Sequence, residues 1–519
     1  MDDRDDISRR DGPAPTRRAL IGGAAAAGVL FATGGARAQT PRRGGDLRLA
    51  LSGGGPTDTL SPLDPLNAAK TAAMLALYDR LAEEGPDGTP TPSLARSFEA
   101  KPGALVWTLT LHKDATFSDG RAFGADDAIA SLNLHRGKTA SPLAPRLGDV
   151  KEIKKLGPDR IEIALAAPDA DFPAVLADPR AIMLPAGHRD FAAPVGTGPY
   201  ALETFEPGVR IALKRKASHW NAARGFVETA TIAPTADAAS RVAALLGDLA
   251  DAIDAMPADA IAKVKAAAGR ALVRASGGFC PEIALRVDRA PFDDPDLRRA
   301  LKHVVDREAL LAGPFGGLGT LAADHPVAPY DPFHAKDVRP LAHDPARAAA
   351  LIKKLGAAPA FAIHASDAAF PEAPAFAAAL AEAANAAGAK ASVRAEPAPR
   401  YWDRVWLHAG CAASRWEGGW PATHALAALY QSGAPWNETR WSNPKFDGLL
   451  AAARAELDPA KRRQPIHDMQ AMLRDDGGSI VPLTRDWADA HGPKLMGLRP
   501  HHVRGLDGGR IVSTCWLAG

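Results

Sequence analysis

The alternation of strand-like and helix-like patterns along most of the chain limits the possible folds more than any other feature of the sequence. Residues 47–51 (LRLAL) and 106–111 (VWTLTL) are short apolar or β-branched runs that predict strands. Residues 200–213 contain two further runs separated by Pro207-Gly208, which predicts a hairpin. Helical patterns lie between and after such runs, so the sequence predicts a fold of the α/β class.

Asp-Pro pairs mark the predicted starts of three helices, at residues 294–295, 344–345 and 458–459. An Asp side chain at the N-cap accepts a hydrogen bond from a free backbone N–H, and proline suits the first turn because its missing N–H is not needed there. The last two of these helices are predicted to end at Gly356 and near Gly477.

The bulk composition excludes several classes of protein. A chain of 519 residues can form two or three domains with sizeable cores. The 62 basic and 60 acidic side chains nearly balance, so the net charge does not favour nucleic acid or an anionic membrane surface as a partner. No segment beyond the N-terminus is apolar enough to span a bilayer. We therefore expect a globular multi-domain protein that binds no nucleic acid.

The three cysteines, Cys280, Cys411 and Cys515, are too few and too scattered for a disulfide framework. No CxxC pair indicates zinc or redox chemistry. One disulfide with one free thiol and three buried thiols are both compatible with the sequence.

The N-terminal 38 residues resemble an export signal. Arg17-Arg18 is a twin-arginine pattern, residues 19–33 form a short apolar stretch, and residues 36–38 (ARA) have the form of a cleavage site. The stretch is too short and too rich in glycine to span a bilayer stably. We predict a twin-arginine signal peptide over residues 1–38, cleavage before Gln39, and export to the periplasm without a lipid anchor.

Several short motifs occur in an order and spacing that resembles a known family. They are residues 41–47 (PRRGGDL), 60–65 (LSPLDP), 77–81 (LYDRL), 107–127, 196–200 (GTGPY), 291–294 (PFDD) and 442–447 (SNPKFD). Together they resemble the family 5 extracellular solute-binding proteins, the peptide- and nickel-binding class of ABC import systems. GTGPY is the most specific of them, and Gly196 and Gly198 are expected to supply backbone conformations that are closed to other residues.

The resemblance implies a periplasmic-binding-protein-like α/β fold with two main lobes, a hinge and an inserted domain, three domains in all. The implied boundaries are 39–83, 190–286 and 495–519 for domain I, 84–189 for domain II and 287–494 for domain III. It also implies a function. The chain would bind a peptide-like or other small polar solute by lobe closure and deliver it to the permease subunits of an ABC transporter. No cofactor and no catalysis are implied, and we expect a monomer.

The usual anchor for a peptide amino group is missing. In peptide-binding relatives a segment of domain III reads Trp, two residues, Asp, and later Asp-Pro, and the first Asp often anchors the ligand's amine. Here Trp416 fits the pattern, but Gly419 stands at the place of the Asp, and residues 422–423 are Ala-Thr. Ordinary di- or oligopeptide recognition is therefore not implied.

Neighbouring side chains are candidate substitutes. Glu417 could bind an ammonium group and Arg415 a carboxylate through charge-assisted hydrogen bonds. Trp416 and Trp420 could form flat walls for apolar or sugar-like faces, or hold a cation. The alternative is that a tryptophan packs in the core and the charges are solvated. The further candidates are Tyr401, Trp402, Arg404, Trp436, Asn437 and Trp441, and the loop of Thr59, Leu60 and Ser61.

Other functions find less support in the sequence. It has no G-x-S-x-G elbow, no H-E-x-x-H motif and no phosphate loop of the GxxxxGK[ST] type, which argues against an enzyme or an ATPase. A compact His/Cys/carboxylate cluster for a direct metal site is also missing. Carriage of a metal chelate or an oligosaccharide, and presentation of a solute to a receptor, remain open alternatives on the same fold.

Overall fold

The Asp-Pro pairs start helices, as the sequence predicts. The computed structural model in which they are seen describes residues 40–518. Asp294, Asp344 and Asp458 each accept a hydrogen bond from a backbone N–H two or three residues further along. The helix after Asp458 ends at Asp476, directly before Gly477, which confirms that prediction as well. Both signals are local, which is why they can be recognised in the sequence.

The proposed signal peptide and its cleavage site, residues 1–38, lie outside the described residues. Within the described residues the strands are β1 Asp46–Leu51, β2 Ala82–Glu84, β3 Pro90–Pro92, β4 Ala95–Ala100, β5 Val106–Leu111, β6 Val150–Gly157, β7 Arg160–Leu165, β8 Tyr200–Glu206, β9 Arg210–Arg215, β10 Thr229–Pro234, β11 Ala252–Ile253, β12 Ala271–Leu285, β13 Gly319–Leu321, β14 Ala360–Ala365, β15 Lys390–Ala395, β16 Cys411–Glu417, β17 Ser479–Ile480, β18 Leu483–His491, β19 Leu495–Met496 and β20 Trp516–Leu517. The predicted strands at 47–51 and 106–111 are thus confirmed as β1 and β5, and the predicted hairpin is β8–β9.

The α-helices are α1 Ala68–Leu77, α2 Ala125–Asn133, α3 Pro173–Leu176, α4 Ala238–Leu246, α5 Ile261–Ala266, α6 Pro295–Val304, α7 Arg307–Ala312, α8 Pro345–Lys354, α9 Ala373–Ala386, α10 Tyr401–Arg404, α11 Ala422–Tyr430, α12 Pro444–Ala455, α13 Pro459–Asp476, α14 Gly505–Gly508 and α15 Ile511–Thr514. Two short 3-10 helices cover Ala144–Leu147 and Ala258–Ala260. Strands and helices alternate along the chain, so the predicted α/β class is confirmed.

A twelve-stranded sheet runs through the molecule in the order β15-β14-β16-β12-β18-β11-β1-β10-β9-β8 along its main path. The long strand β12 joins its two halves. Residues 271–275 of β12 pair with β18, whereas residues 279–285 pair with β16. The register shifts between Ala275 and Phe279, where Gly277 has a φ of +101°. A separate antiparallel sheet has the order β4-β5-β7-β6.

The buried side chains form separate hydrophobic clusters on the two sides of β12. One side holds a cluster around β1 and α1 and another on the four-stranded sheet, and we call this part the first lobe (residues 46–253 and 495–517). The other side holds a cluster around α9 and a cluster around α12 and α13, and we call this part the second lobe (residues 283–483). Each lobe therefore has its own core.

The three cysteines are all free and buried. Of the two alternatives that the sequence left open, the structure therefore has the three buried thiols and not the disulfide. Within the described residues, no helix combines the length and the apolar character needed to cross a membrane.

Gly196 and Gly198 are needed for close packing and not for unusual backbone angles, so the predicted reason was wrong. Neither has a positive φ. Instead, a Cβ atom at Gly198 would lie 2.6 Å from the carbonyl carbon of Leu77, and one at Gly196 would lie 2.6 Å from the Tyr78 ring. The GTGPY segment runs directly against the end of α1.

We predict that Gly198→Ala destabilises the protein, because the new methyl group meets backbone atoms that cannot rotate away. The expected loss in the free energy of unfolding is about 1–3 kcal/mol, measured by urea denaturation. Gly448→Ala is the matched control. Gly448 lies inside α12 with open space around it, and alanine favours a helix interior over glycine by about 1 kcal/mol. Equal effects of the two substitutions would contradict the packing explanation.

Candidate functional site

Five tryptophans form a continuous row in the second lobe. The ring centroids are 5.9 Å apart for Trp402 and Trp406, 6.2 Å for Trp406 and Trp416, 6.0 Å for Trp416 and Trp436, and 5.8 Å for Trp436 and Trp420. Aromatic rings at such distances and tilts attract one another through their quadrupoles as well as through buried area. The row extends from the exposed ring of Trp402 to the space between the two lobes.

A cavity of about 330 Å³, which we call the inner cavity, lies between the lobes next to this row. The second lobe contributes residues 415–420, at the end of β16 and just after it, together with Tyr330 and Trp436. The first lobe contributes charged side chains, namely Glu84, Arg146, Asp178, Arg180 and Arg504.

A larger cavity of about 520 Å³, the outer cavity, adjoins the inner one. The two cavities share the side chains of Arg146, Trp420 and Trp436. The Arg146 guanidinium lies over the Trp420 ring, with its carbon 5.5 Å from the ring centroid. This is a cation–π contact across the space between the lobes. Small-molecule sites have this combination of apolar walls, a few polar groups and comparable size.

Polar contacts hold the two lobes together beside the outer cavity. Asp171 of the first lobe accepts hydrogen bonds from Thr423 and from Arg462, whose Nη1 is 2.9 Å away. Asp169 lies 2.9 Å from the Nε2 of His424, and Arg454 lies 3.2 Å from Asp149. We call these seven side chains the clasp.

Burial alone would raise the pKa of Asp169, but His424 and Arg454 hold it below its usual value. The carboxylate therefore keeps its charge, and with it the attraction between the lobes.

A family model described as bacterial extracellular solute-binding proteins, family 5, middle region, matches residues 89–438, which is well over half of the chain. The chain belongs to the family 5 bacterial extracellular solute-binding proteins. A glutathione-binding protein, GsiB of Salmonella choleraesuis, is 26% identical over 464 residues, covering 85% of this chain and 89% of the relative.

Two solved structures show the same fold. The structure of HbpA2 from Haemophilus parasuis aligns with a TM-score of 0.80 at 20% identity, covering 92% of this chain and 100% of that one. AgaA from A. tumefaciens R10, in complex with agropinic acid, aligns with a TM-score of 0.77 at 22% identity, covering 92% and 99% of the two chains. The multi-domain periplasmic-binding-protein fold expected from the sequence is therefore confirmed.

The geometry at Gly419, where the sequence predicts that an amine-anchoring Asp is replaced, excludes a side chain in this family 5 protein. Gly419 has a φ of +94°, and a Cβ atom there would collide with the Val503 side chain. Its backbone N–H donates a hydrogen bond of 2.7 Å to the Tyr330 hydroxyl. An Asp therefore cannot replace Gly419 without moving Val503 and distorting the backbone.

Five of the contact residues predicted from the sequence line the inner cavity, namely Arg415, Trp416, Glu417, Trp420 and Trp436. The Nη1 of Arg415 donates to the Ala369 carbonyl at 2.7 Å, and its Nε lies 3.4 Å from Glu417. These two charges are partly neutralised by each other. Their binding of a ligand remains a prediction.

The other candidates are Thr59, Leu60, Ser61, Tyr401, Trp402, Arg404, Asn437 and Trp441, and none of these eight lines either cavity. The Tyr401 ring is inside the core of the second lobe, and its hydroxyl donates to the Ala413 carbonyl at 2.7 Å. Arg404 is exposed on the surface. Leu60 belongs to the core of the first lobe, and Thr59 is hydrogen-bonded to Asp64. The role of all eight as ligand contacts is still only predicted.

Sequence reasoning missed the charged side chains of the first lobe, because no motif marks them and their segments are far apart in the chain. Asp178 accepts hydrogen bonds from Arg146 at 2.9 Å and from Arg180 at 3.2 Å. Burial would raise the pKa of Asp178, but these two guanidinium groups lower it below its usual value. Asp178 thus fixes both arginines at the cavity wall. Among residues 40–518, no group of His, Cys, Asp or Glu side chains is arranged to hold a metal ion.

Two buried carboxyl groups lie behind Trp416. The Trp416 Nε1 donates to Glu282 at 3.1 Å, and the hydroxyl of Ser414 donates to Glu438 at 2.7 Å. Burial raises the pKa of Glu282 to about 6. The pKa of Glu438 is raised well above its usual value by burial and by the neighbouring Glu282. The pair therefore retains protons that an exposed carboxyl group would lose.

We predict that Glu282→Gln stabilises the protein at pH 8 and not at pH 4. The folded protein binds this proton more tightly than the unfolded chain does, so stability falls as pH rises from the ordinary value of 4.5 to about 6. Glutamine does not titrate and still offers Trp416 an acceptor. The expected gain at pH 8 is on the order of 2 kcal/mol, measured by urea denaturation at both pH values.

Glu206→Gln is the control for this prediction, because Glu206 is half exposed and pairs only with Arg210 at the surface. Its effect should stay within about 0.5 kcal/mol at either pH. If the Glu282→Gln variant is no more stable than the unchanged protein at pH 8, ionisation of the buried Glu282 does not lower the free energy of unfolding.

Proposed function

We propose that this chain is the periplasmic substrate-binding component of an ABC import system, which encloses a small polar solute between its lobes and delivers it to membrane permease subunits. The observation that carries the proposal is the pair of adjoining cavities between the lobes, with the clasp beside them. Membership of family 5 supports the same role. Neither a cofactor nor a covalent step is part of this mechanism.

Ligand binding would act by shifting an equilibrium between open and closed arrangements. The lobes have separate cores, and β12 with β18 connects them. A solute that touches both cavity walls binds the closed arrangement better than the open one, and it therefore favours closure. The permease would then recognise the closed surface formed by both lobes.

The solute is proposed to be peptide-like or another small polar molecule. GsiB binds glutathione, and AgaA was solved with agropinic acid. Together the inner and outer cavities would hold a ligand of this kind. The proposal extends to a cleaved twin-arginine signal peptide over residues 1–38, to a monomeric state, and to the domain division at residues 83, 189, 286 and 494.

We predict that Asp171→Ala shifts the protein toward the open arrangement. The substitution leaves Arg462, whose side chain is only 6% exposed, without its carboxylate in the closed form. Opening lets the guanidinium reach water. Small-angle X-ray scattering should therefore give a larger radius of gyration than for the unchanged protein.

Asp126→Ala is the matched control, since Asp126 pairs with Lys155 on the exposed surface of the same lobe. It should leave the scattering curve unchanged. If Asp171→Ala folds normally by circular dichroism and also scatters like the unchanged protein, the clasp does not determine closure.

A thermal-shift screen tests the function itself. The purified protein is heated with peptides, amino-acid conjugates, opines, oligosaccharides and nickel chelates. A ligand at 100 times its Kd stabilises the folded state by about 2.7 kcal/mol, and its binding should also reduce the radius of gyration. The function is rejected if no class of solute binds and mass spectrometry of the denatured protein finds no co-purified solute.

A further inference from the structure

The inner cavity collects buried polar atoms that have no hydrogen-bond partner within the described residues. They are the Nε atoms of Arg146, Arg180 and Arg504 and the Oε2 atom of Glu84. Glu84 itself is only 8% exposed. Unpaired arginine Nε atoms also occur elsewhere in the described residues, but here three of them and a buried carboxylate oxygen line one cavity, where a polar ligand could pair with all four.

These donors come from separate segments that converge on one end of the cavity. Arg146 and Arg180 both pair with the carboxylate of Asp178. Arg504 lies on a segment that returns from the C-terminal part of the chain, and its charge also lowers the pKa of Asp178. The Glu84 carboxylate is 3.9 Å from Arg504, beyond hydrogen-bond distance. One wall therefore offers several guanidinium donors beside one free carboxylate oxygen.

The Glu84 oxygen and the arginine donors are complementary to ligand groups of opposite charge. A guanidinium N–H matches a carboxylate of the ligand, whereas the Glu84 oxygen matches an ammonium group. A simple anion would leave the Glu84 Oε2 without a hydrogen-bond partner and bring a second negative charge close to it. An amine alone would leave the guanidinium donors unpaired. A group that carries both charges within a few ångströms satisfies both sets.

We infer that the inner cavity binds the zwitterionic head group of an amino-acid-like solute, with its carboxylate on Arg146, Arg180 and Arg504 and its ammonium on Glu84. This inference rests on the proposed function and names the class of solute for that site. The ammonium is bound from the first lobe, on the side opposite Gly419. The rest of the solute extends past Trp420 and Trp436 into the outer cavity, whose volume is about 520 Å³.

Chemically blocked probes test the two charges separately. Amino acids, dipeptides and glutathione are each titrated by calorimetry as the free compound, as the carboxyl ester and as the N-acetyl derivative. The free compounds that bind should lose about 10- to 100-fold in affinity on either modification, as expected for a charge-assisted hydrogen bond.

Variants connect each loss to a side chain. Arg504→Gln should weaken the binding of a free compound by a similar factor. It should have little further effect on the binding of the corresponding ester. Glu84→Gln should weaken the binding of the free compound and have little effect on the binding of its N-acetyl derivative, as in a double-mutant cycle. Arg210→Gln, at an exposed pair with Glu206, is the control and should change nothing. Arg504→Lys replaces Arg504→Gln if the latter fails to fold.

The outcomes separate this inference from the proposed function. Binders that tolerate both modifications and both variants, such as neutral sugars, overturn the zwitterion site and leave solute binding intact. Binders that are sensitive to esterification but not to acetylation or to Glu84→Gln overturn the role of Glu84. If no compound of any class binds, both the inference and the proposed function fail.

Discussion

The pairing of strand β12 on both of its halves is the constraint on which the rest of the structure depends. Its first half is hydrogen-bonded to β18, and its second half to β16, which ends at the inner cavity. The register shift at Gly277 and Gly278 allows this change of partner. A side chain at Gly418 would collide with the Gly277 carbonyl, so the segment that carries Trp416 and Glu417 is packed directly on this bend. The position of the site thus follows from a backbone feature far from it in sequence.

The space between the lobes is unusual in its concentration of charges within apolar surroundings. Carboxylates such as Asp169 and Asp178 lose hydration energy on burial, and hydrogen bonds together with nearby arginine charges keep their pKa below the usual value. Behind the tryptophan row, the pKa values of the buried carboxyl groups are shifted in the opposite direction. No cation in the described part of the chain pairs with Glu282 or Glu438, and burial raises the pKa of both. One wall of the site is therefore strongly polar, and the other presents tryptophans backed by largely neutral groups.

Local signals in the sequence predicted much of the fold. The Asp-Pro helix starts, strands β1 and β5 and the β8–β9 hairpin were all correct, since each depends on residues that are close in the chain. The GTGPY motif was located correctly but explained wrongly. Gly196 and Gly198 are required because α1 packs against them, and that contact joins segments more than one hundred residues apart. Tyr401 and Leu60 were plausible contacts by position, yet tertiary packing places both in cores.

The sequence by itself determined the α/β class, the resemblance to family 5 and the tryptophan-rich segment that lines the inner cavity. It could do so because these properties are written in short contiguous motifs. Only the tertiary structure decided which charges line the inner cavity. Glu84, Arg146, Arg180 and Arg504 come from three distant parts of the chain, and their ordinary local surroundings give no signal. They converge within the first lobe, and the second lobe covers them, which removes these polar groups from water.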